Sequence, residues 1–549
     1  MKKIAYIILA ATVLVCGSSC TGSLNQYPHT TSTSNDVYTS AEGYQKVISG
    51  IYAAFIQRIS NVSEETRSQN YLRVLTMFQD CSTDACDAIW LSGESLTDVN
   101  GLSWNAGDPW CSAMYYHIYN IVAMCNDFIR NAEDESLLSR LDDNGRARVE
   151  EMKSEARFLR AYAYSHALDF YQRMPFVTEK DGIGAYIPQT YTRQQMFDFL
   201  VGELTDIADR LDVTDYGHAN RGAAYALLAR LYLNGETYTG QGYYNECISA
   251  CQEVIKDGYR LEDDYSKLFN GDNHLRAMGG SEIIFAFACD GTNTTTWDAT
   301  TFLVCGEVLD SFSDPVDIWG NEGANAWNNL RARPELVNAF GYGDRRALFI
   351  GYDREAVTDA AGNPVLDGEG KPTYDETPRS LDITAHDDAT TGYRIYKWTN
   401  LTDDGEAASF CGEGGGADTD FPVFRLADVY LMLAEAVVRG GEGATRAEAL
   451  GYVNDIRKRA YGSTAGNIGD SDLTLDFLCE ERLRELYMEC IRRTDLIRFG
   501  KYTSGYNWQW KGNVEDGEDV DSRYRYLAIP EAEYSVNPET QAINNELGF

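Results

Sequence analysis

The stretch Arg146-Ala-Arg-Val-Glu-Glu-Met-Lys-Ser-Glu-Ala-Arg-Phe-Leu-Arg-Ala-Tyr-Ala-Tyr-Ser-His-Ala-Leu-Asp-Phe-Tyr-Gln-Arg-Met-Pro175 decides the fold. Val149, Met152, Ala156, Leu159, Ala163, Ala167 and Phe170 recur at steps of three and four. That spacing lays one apolar stripe along a helix. Asn144-Gly145 precedes the run, and the ring of Pro175 cannot continue it. At about 1.5 Å per residue the element is about 40 Å long. Ala156, Ala161, Ala163 and Ala167 let neighbouring helices come close, while Tyr162, Tyr164 and Tyr171 widen its flanks. Such a helix reads as the centre of a helical domain.

Shorter helices flank it. In 40–59, Ser40 is the cap and Tyr44, Val47, Ile48, Ile51 and Phe55 point inward. Residues 114–131 suit packing against 146–171. Further helices are expected over 192–211, 220–233 and 243–256. The run Ala226-Leu-Leu-Ala-Arg-Leu-Tyr-Leu233, a short turn and a second helix resemble a tetratricopeptide unit, without its strict period of roughly 34 residues. Helical spacing returns over 424–438, 446–461 and 473–498. In the last of these Glu480, Glu481, Glu485 and Glu489 alternate with Arg482, Arg484, Arg492 and Arg493, which reads as a solvated, salt-bridged face. Residues 282–288 and 301–305 are β-rich. Residues 71–110 read as mostly irregular, and 306–416 are loop-heavy. Such lengths of irregular chain usually carry a functional surface. The expected class is mainly α: a tetratricopeptide-like helical-repeat scaffold with loop-rich, short-strand insertions. One domain, 39–549, holds it. The helical core falls in about 40–270 and 420–500, and the ligand-facing loops in about 60–110 and 280–420.

The chain has 549 residues, 44% of them hydrophobic and 12% aromatic, which allows a substantial core. Its 36 tyrosines exceed what a core needs and suit a wet contact surface. A net charge of −37 repels nucleic acid, which binds through Lys and Arg, and disfavours an anionic bilayer as a direct partner. A neutral ligand fits. Residues 1–19 read as a secretion signal: Lys2 and Lys3, an apolar run over 4–15, then Gly17-Ser18-Ser19-Cys20. A small-residue site ending in Cys looks like a lipobox, with Gly17 in place of the usual Leu. Cleavage before Cys20 and acylation of its thiol are expected, with 20–38 as a polar tether. The lipid is then the only membrane anchor.

Little in the sequence points to catalysis. It has no His-Glu-x-x-His and no Gly-x-Ser-x-Gly. His166, on the long helix, reads as a core or interface residue. A carboxylate pair for glycoside hydrolysis needs a defined separation that sequence does not show. Cys81 and Cys86 are close enough in sequence to pair, and no Cys-x-x-Cys suggests zinc. The acidic run 516–521 could hold Ca²⁺ through hard oxygens but lacks EF-hand spacing, so a solvated turn is the preferred reading. No cofactor is expected.

Ser154-Glu-Ala-Arg-Phe-Leu-Arg-Ala161, followed by Phe170-Tyr171 and a Pro175-Phe176 turn, resembles the signature segment of the SusD/RagB family of glycan-binding outer-membrane lipoproteins. The resemblance runs over nearly the whole mature chain. Phe421-Pro-Val-Phe-Arg-Leu-Ala-Asp428, Tyr452-Val-Asn-Asp-Ile-Arg-Lys-Arg-Ala460, Arg492-Arg-Thr-Asp-Leu-Ile-Arg-Phe-Gly500 and Tyr526-Leu-Ala-Ile-Pro530 carry it too. Arg230-Leu-Tyr-Leu-Asn-Gly-Glu-Thr-Tyr-Thr-Gly-Gln241, Phe302-Leu-Val-Cys-Gly306 and Trp508-Gln-Trp-Lys-Gly512 are closest to the family's starch-binding member.

The resemblance implies an α-α superhelix and an arc of aromatic rings on which sugar faces stack. Trp90, Trp297 and Trp327 fall on the arc positions. Arg73 matches an arginine that hydrogen-bonds sugar hydroxyls, and Glu65 falls where an aspartate contact would be. Gly93 and Ala88 depart from the pattern, in place of an asparagine contact and a neighbouring tryptophan, so the site is expected to be smaller or to take another glucan. Each Trp on its own would read as a packing residue. Three rings in an arc suit a curved α-1,4-glucan better than a flat β-glucan. The expected function is non-catalytic binding of starch-like oligosaccharides at the cell surface, with delivery to a SusC-like TonB-dependent outer-membrane transporter. The alternatives are the same scaffold with another glycan, a peptide-binding helical-repeat adaptor, and an enzyme.

Overall fold

The computed structural model describes residues 34–58, 69–89, 95–182, 184, 186–212, 216–276, 281–293, 299–308, 312–321, 326–411 and 415–549. Helix α1 (Ala41–Ala53) starts where Ser40 accepts the Gly43 amide. After α2 (Tyr71–Thr76) come the two longest helices, α3 (Pro109–Ala132) and α4 (Asp143–Phe170). Asp108 accepts the Trp110 and Cys111 amides at the head of α3. The Asp142 carboxylate takes the Gly145 amide, so α4 begins before its apolar stripe does. It ends at Phe170 because Tyr171 turns extended and the chain runs on into a short strand through Pro175.

A capping box between Thr192 and Gln195 opens α5 (Arg193–Ile207). Then follow α6 (Arg221–Leu233), α7 (Tyr244–Lys256), α8 (Thr300–Gly306), α9 (Leu426–Val438), α10 (Arg446–Tyr461), α11 (Leu475–Leu486) and α12 (Arg492–Arg498). Neighbours pack in series: α3 on α4, α4 on α1 and α5, α6 on α7, α7 on α9, and α9 on α10 and α11. This is the mainly helical class expected. The α4 stripe does what its spacing implied: Val149, Ala156, Leu159, Ala163, Ala167 and Phe170 are fully buried. Truncating one of the larger of these to Ala costs about 2–5 kcal/mol. Among the described residues no helix is long and apolar enough to cross a membrane.

The strands are short, antiparallel and paired in twos. β1 (Cys86–Ala88) pairs with β3 (Leu330–Ala332), β2 (Ile283–Phe287) with β6 (Phe421–Arg425), and β4 (Tyr352–Ala356) with β5 (Tyr374–Pro378). Phe287 of the β2–β6 pair stacks on Phe55, just past α1, at 4.5 Å and lies 5.9 Å from Tyr162 of α4.

Four expectations are corrected. The β-rich run 301–305 is helical, as part of α8. Every residue of α8 is buried, and a short apolar run reads equally as strand or buried helix. Residues 71–81, expected to be irregular, are α2 continued by a π-helical turn over Met77–Cys81. The helix expected over 473–498 is two, because Met488 and Cys490 take left-handed φ values of 58° and 59°. A tertiary bond fixes that break: the Cys490 amide donates to Asp80 at 3.0 Å.

The charged face of α11 is not solvated. Glu481 and Glu485 are fully buried. Arg346 reaches both, at 2.9 and 3.0 Å, with Arg457 and Arg484 completing Glu481 and Arg425 and Arg459 completing Glu485. All but Arg484 come from segments outside α11, so local charge alternation could not reveal them. Cys81 and Cys86 are both buried and are not joined in a disulfide. His166, expected at the core or an interface, is half-buried. Tyr71 Oη lies 2.6 Å from its Nδ1, and burial pushes its imidazole down to about 4. It lines a cavity of about 50 Å³, room for a water or two.

Candidate functional site

The expected site residues divide into two groups. Arg73, Trp327 and Ala88 are described by the structure. Trp90, Trp297, Glu65 and Gly93 lie outside the described residues, as does the expected lipidation site Cys20. The segments that carry the three tryptophans nevertheless meet.

The meeting point is α8. It starts at Thr300, three residues after Trp297 in the chain, and Ala299 enters it with φ 54°. Phe302, on its first turn, is fully buried. The Arg73 guanidinium sits 4.5 Å from the Phe302 ring centroid and 5.9 Å from that of Trp110. Asn70 positions Arg73 by accepting its amide at 2.9 Å. Only 5% of Arg73 is exposed, so it is a cation held against two aromatic faces at the edge of the core.

Trp327 approaches α8 from the other side. Its ring centroid is 6.3 Å from that of Phe302, tilted by 35°, and the ring is half-buried. Its backbone is tied down as well. The Trp327 amide donates to Cys305 O at 3.2 Å, Asn328 to Val308 O at 3.0 Å and Asn329 to Gly306 O at 2.8 Å. Two of these bonds use the Cys305 and Gly306 carbonyls at the C-terminal end of α8, where carbonyls lack a partner within the helix, and the third uses Val308 just beyond it. Arg73 and Trp327 therefore meet through the Phe302 ring of α8.

The third approach is β1. It pairs with β3 in the register Cys86↔Ala332, Asp87↔Arg331, Ala88↔Leu330. One step further on, the Ile89 amide donates to Asn329 O at 2.7 Å. Trp90 follows Ile89 in sequence, and Asn329 lies two residues after Trp327. Asn100 clamps the strand end, accepting the Ala88 amide and donating to the Ala88 carbonyl. Ala88 itself is fully buried, so this departure from the family pattern sits in the sheet and presents no side chain to solvent.

Beneath the β1–β3 pair lies a buried charge knot. Asp87 is fully buried and accepts from Arg331 Nε at 2.9 Å, with Arg333 at 3.3 Å and His386 Nδ1 at 2.9 Å. Burial alone would raise its carboxyl, but Arg331 and Arg333 outweigh it and hold the group far below the usual range. Glu307, just past α8, is driven the other way, upward, by burial.

Sequence reading missed three parts of this arrangement: Phe302 as the bridge between Arg73 and Trp327, Trp110 as the second face for Arg73, and the Asp87 knot. The alternation Arg331-Ala-Arg333 was the one available signal, since two arginines on one face of a buried strand demand a carboxylate. Among the described residues no group of three or more His, Cys, Asp or Glu side chains could hold a metal ion. Of the acidic run 516–521, Asp519 accepts the Gly505 amide and Asp521 caps a short turn.

Residues 281–545 match the family model described as the SusD family. That segment, a little under half of the chain, is similar to the SusD family. This SusD-like chain is 28% identical to the "Starch-binding protein SusD" of Bacteroides thetaiotaomicron over 500 residues, which span 86% of this chain and 85% of that protein. It is 24% identical to "SusD-like protein P25" of Formosa agariphila, covering 99% of both. Among solved structures, surface glycan-binding protein A from Bacteroides thetaiotaomicron, in complex with laminarihexaose, has the same fold. Its TM-score is 0.63 at 19% identity, covering 91% of this chain and 98% of that one. A SusD superfamily protein from Bacteroides vulgatus superposes with a TM-score of 0.64, at 19% identity and the same coverage.

Proposed function

We propose that this SusD-like chain is a non-catalytic binding protein for starch-like α-1,4-glucan oligosaccharides. Trp90, Trp297 and Trp327 supply the stacking faces, with Arg73 and Glu65 as polar contacts beside them. Acylated at Cys20, the chain is held at the outer membrane and passes its ligand to a SusC-like TonB-dependent transporter. The observation that carries the reading is the junction at α8: Arg73 and Trp327 both pack on Phe302, Ile89 bonds to Asn329 two residues after Trp327, and α8 itself begins three residues after Trp297 in the chain. The similarity to the starch-binding protein favours starch over other glycans. The chemistry agrees: the C–H faces of glucose are apolar and weakly positive, and an indole face is wide and negative. By analogy with aromatic pairs each ring contributes about 0.5–1.5 kcal/mol. Weak single sites gain avidity on a polymer that repeats its epitope.

A second reading keeps the scaffold and changes the sugar. It is favoured by Ala88 and Gly93, which depart from the starch-binding pattern. Native affinity electrophoresis separates the two. Wild type and the Trp90→Ala, Trp297→Ala and Trp327→Ala variants are run in gels containing amylopectin, laminarin or no glycan. Retardation of wild type by amylopectin alone, lost in the variants, supports the α-glucan reading. Retardation by laminarin alone transfers the site to a β-glucan. Failure of both glycans to retard wild type overturns the proposed ligand class. Retardation unchanged in all three variants moves the site away from the tryptophans, as a peptide-type helical groove would.

A further inference from the structure

Cys305 in α8 and Cys411 lie 106 residues apart in sequence, yet their Sγ atoms are 3.5 Å apart and both side chains are fully buried. The backbone around Cys411 is held in place without help from sulfur. The Ala417 amide donates to Thr301 Oγ1 of α8 at 2.9 Å. The Gly416 amide donates to Gly291 O at 2.9 Å, and Ser409 Oγ to Gly416 O at 2.8 Å. The close approach is built in at Gly291, where any Cβ would stand 2.0 Å from Gly416 O. Two remote segments are thus fixed so that two thiols face each other.

We infer that Cys305 and Cys411 form a disulfide that fastens the chain around Cys411 to α8, the helix that carries Phe302 and receives Trp327. The sulfurs must close from 3.5 Å to about 2.05 Å, about 1.5 Å shared between two side-chain rotations. The pair differs from its rivals: Cys81 and Cys86 lie within one turn region, and Cys247 and Cys251 within one helix, so neither would tie distant parts of the chain together. The bond requires an oxidant, here a low-molecular-weight disulfide. One cysteine thiolate attacks the donor disulfide, forming a mixed disulfide and expelling a thiolate. The second cysteine sulfur attacks the protein-side sulfur of that bond and expels the other donor thiolate. Two protein S–H groups are oxidised, one donor disulfide becomes two thiols, and the two protons go to those thiols. The Cys411 thiol and burial hold the Cys305 thiol up, so little of the reactive thiolate exists in the folded state. The exchange therefore belongs to folding, before α8 is covered.

Peptide mapping tests this without reference to any glycan. The full chain is unfolded, refolded in a buffer of reduced and oxidised glutathione, treated with iodoacetamide under denaturing conditions, and digested without reduction. The expected product is a peptide pair linked through Cys305 and Cys411, absent after reduction and absent in Cys411→Ser. Reduction is expected to lower the wild-type Tm by about 3 °C, as closing a loop of roughly a hundred residues in a chain this size implies. Cys305→Ser and Cys411→Ser should show no such dependence on reductant. Carbamidomethylation of both Cys305 and Cys411 in refolded wild type overturns the inference, as does a link from either one to a different cysteine.

Discussion

The Ile89 amide donates to the Asn329 carbonyl at 2.7 Å, across 240 residues of chain. This bond extends the β1–β3 ladder by one step beyond the Ala88↔Leu330 pair. A three-residue ladder thus fixes where two segments remote in sequence leave the core. The ladder is held from below by the Asp87 knot and from the side by α8.

The knot should therefore be costly to break. Asp87→Ala leaves Arg331 and Arg333 buried without their carboxylate, and removing one partner of a buried pair costs about 3–5 kcal/mol. Urea unfolding should show the midpoint fall at constant m. A loss below about 1 kcal/mol would mean that water reaches the arginines and that the knot is not dry.

Arg73 offers a test of packing against charge. Arg73→Ala removes the cation from Phe302 and Trp110 and is expected to cost about 1–2 kcal/mol of stability. It should also abolish retardation by amylopectin if the guanidinium donates to sugar hydroxyls. Arg73→Lys keeps the charge and loses the planar fork. It should recover most of the stability and little of the binding. Equal recovery of both would assign Arg73 to structure alone.

Trp327→Ala removes a half-buried ring that packs on Phe302. Binding of a maltooligosaccharide by calorimetry should weaken about two- to twelvefold, the equivalent of about 0.5–1.5 kcal/mol. Unchanged affinity in a folded variant would remove Trp327 from the site.

Acid should find the buried α11 carboxylates. Burial raises the Glu481 carboxyl, but Arg346, Arg484 and Arg457 outweigh it and hold it at about 2, below its ordinary 4.5. A carboxylate with a lowered folded pKa contributes stability that is complete above its unfolded pKa and lost as pH falls. The loss should begin near pH 5 and continue to about pH 2, reaching about 3 kcal/mol from this group. Glu481→Gln should flatten that part of the stability-against-pH curve while lowering stability at neutral pH. An unchanged slope below pH 5 would show that other carboxylates govern acid unfolding.

The helical class was written in the α4 stripe, and caps such as Ser40, Asp142 and Thr192 could be read or nearly read from local spacing. Apolar periodicity and capping are short-range, so a single chain displays them. Residues 301–305 escaped because a buried helix of two turns and a buried strand share one composition. The face of α11 escaped because alternating charge looks alike whether water or the remote Arg346, Arg425, Arg457 and Arg459 cover it.

By itself the sequence determined that this protein is mainly helical, that Arg146 to Phe170 lies at its centre, and that the chain is too acidic to seek a polyanion. Tertiary structure alone decided that Arg73 and Trp327 both pack on Phe302, that Ile89 meets Asn329, and that Cys305 faces Cys411. Such contacts depend on which distant segments pack together. Packing is set by the summed burial of the whole core, and no local pattern encodes that sum.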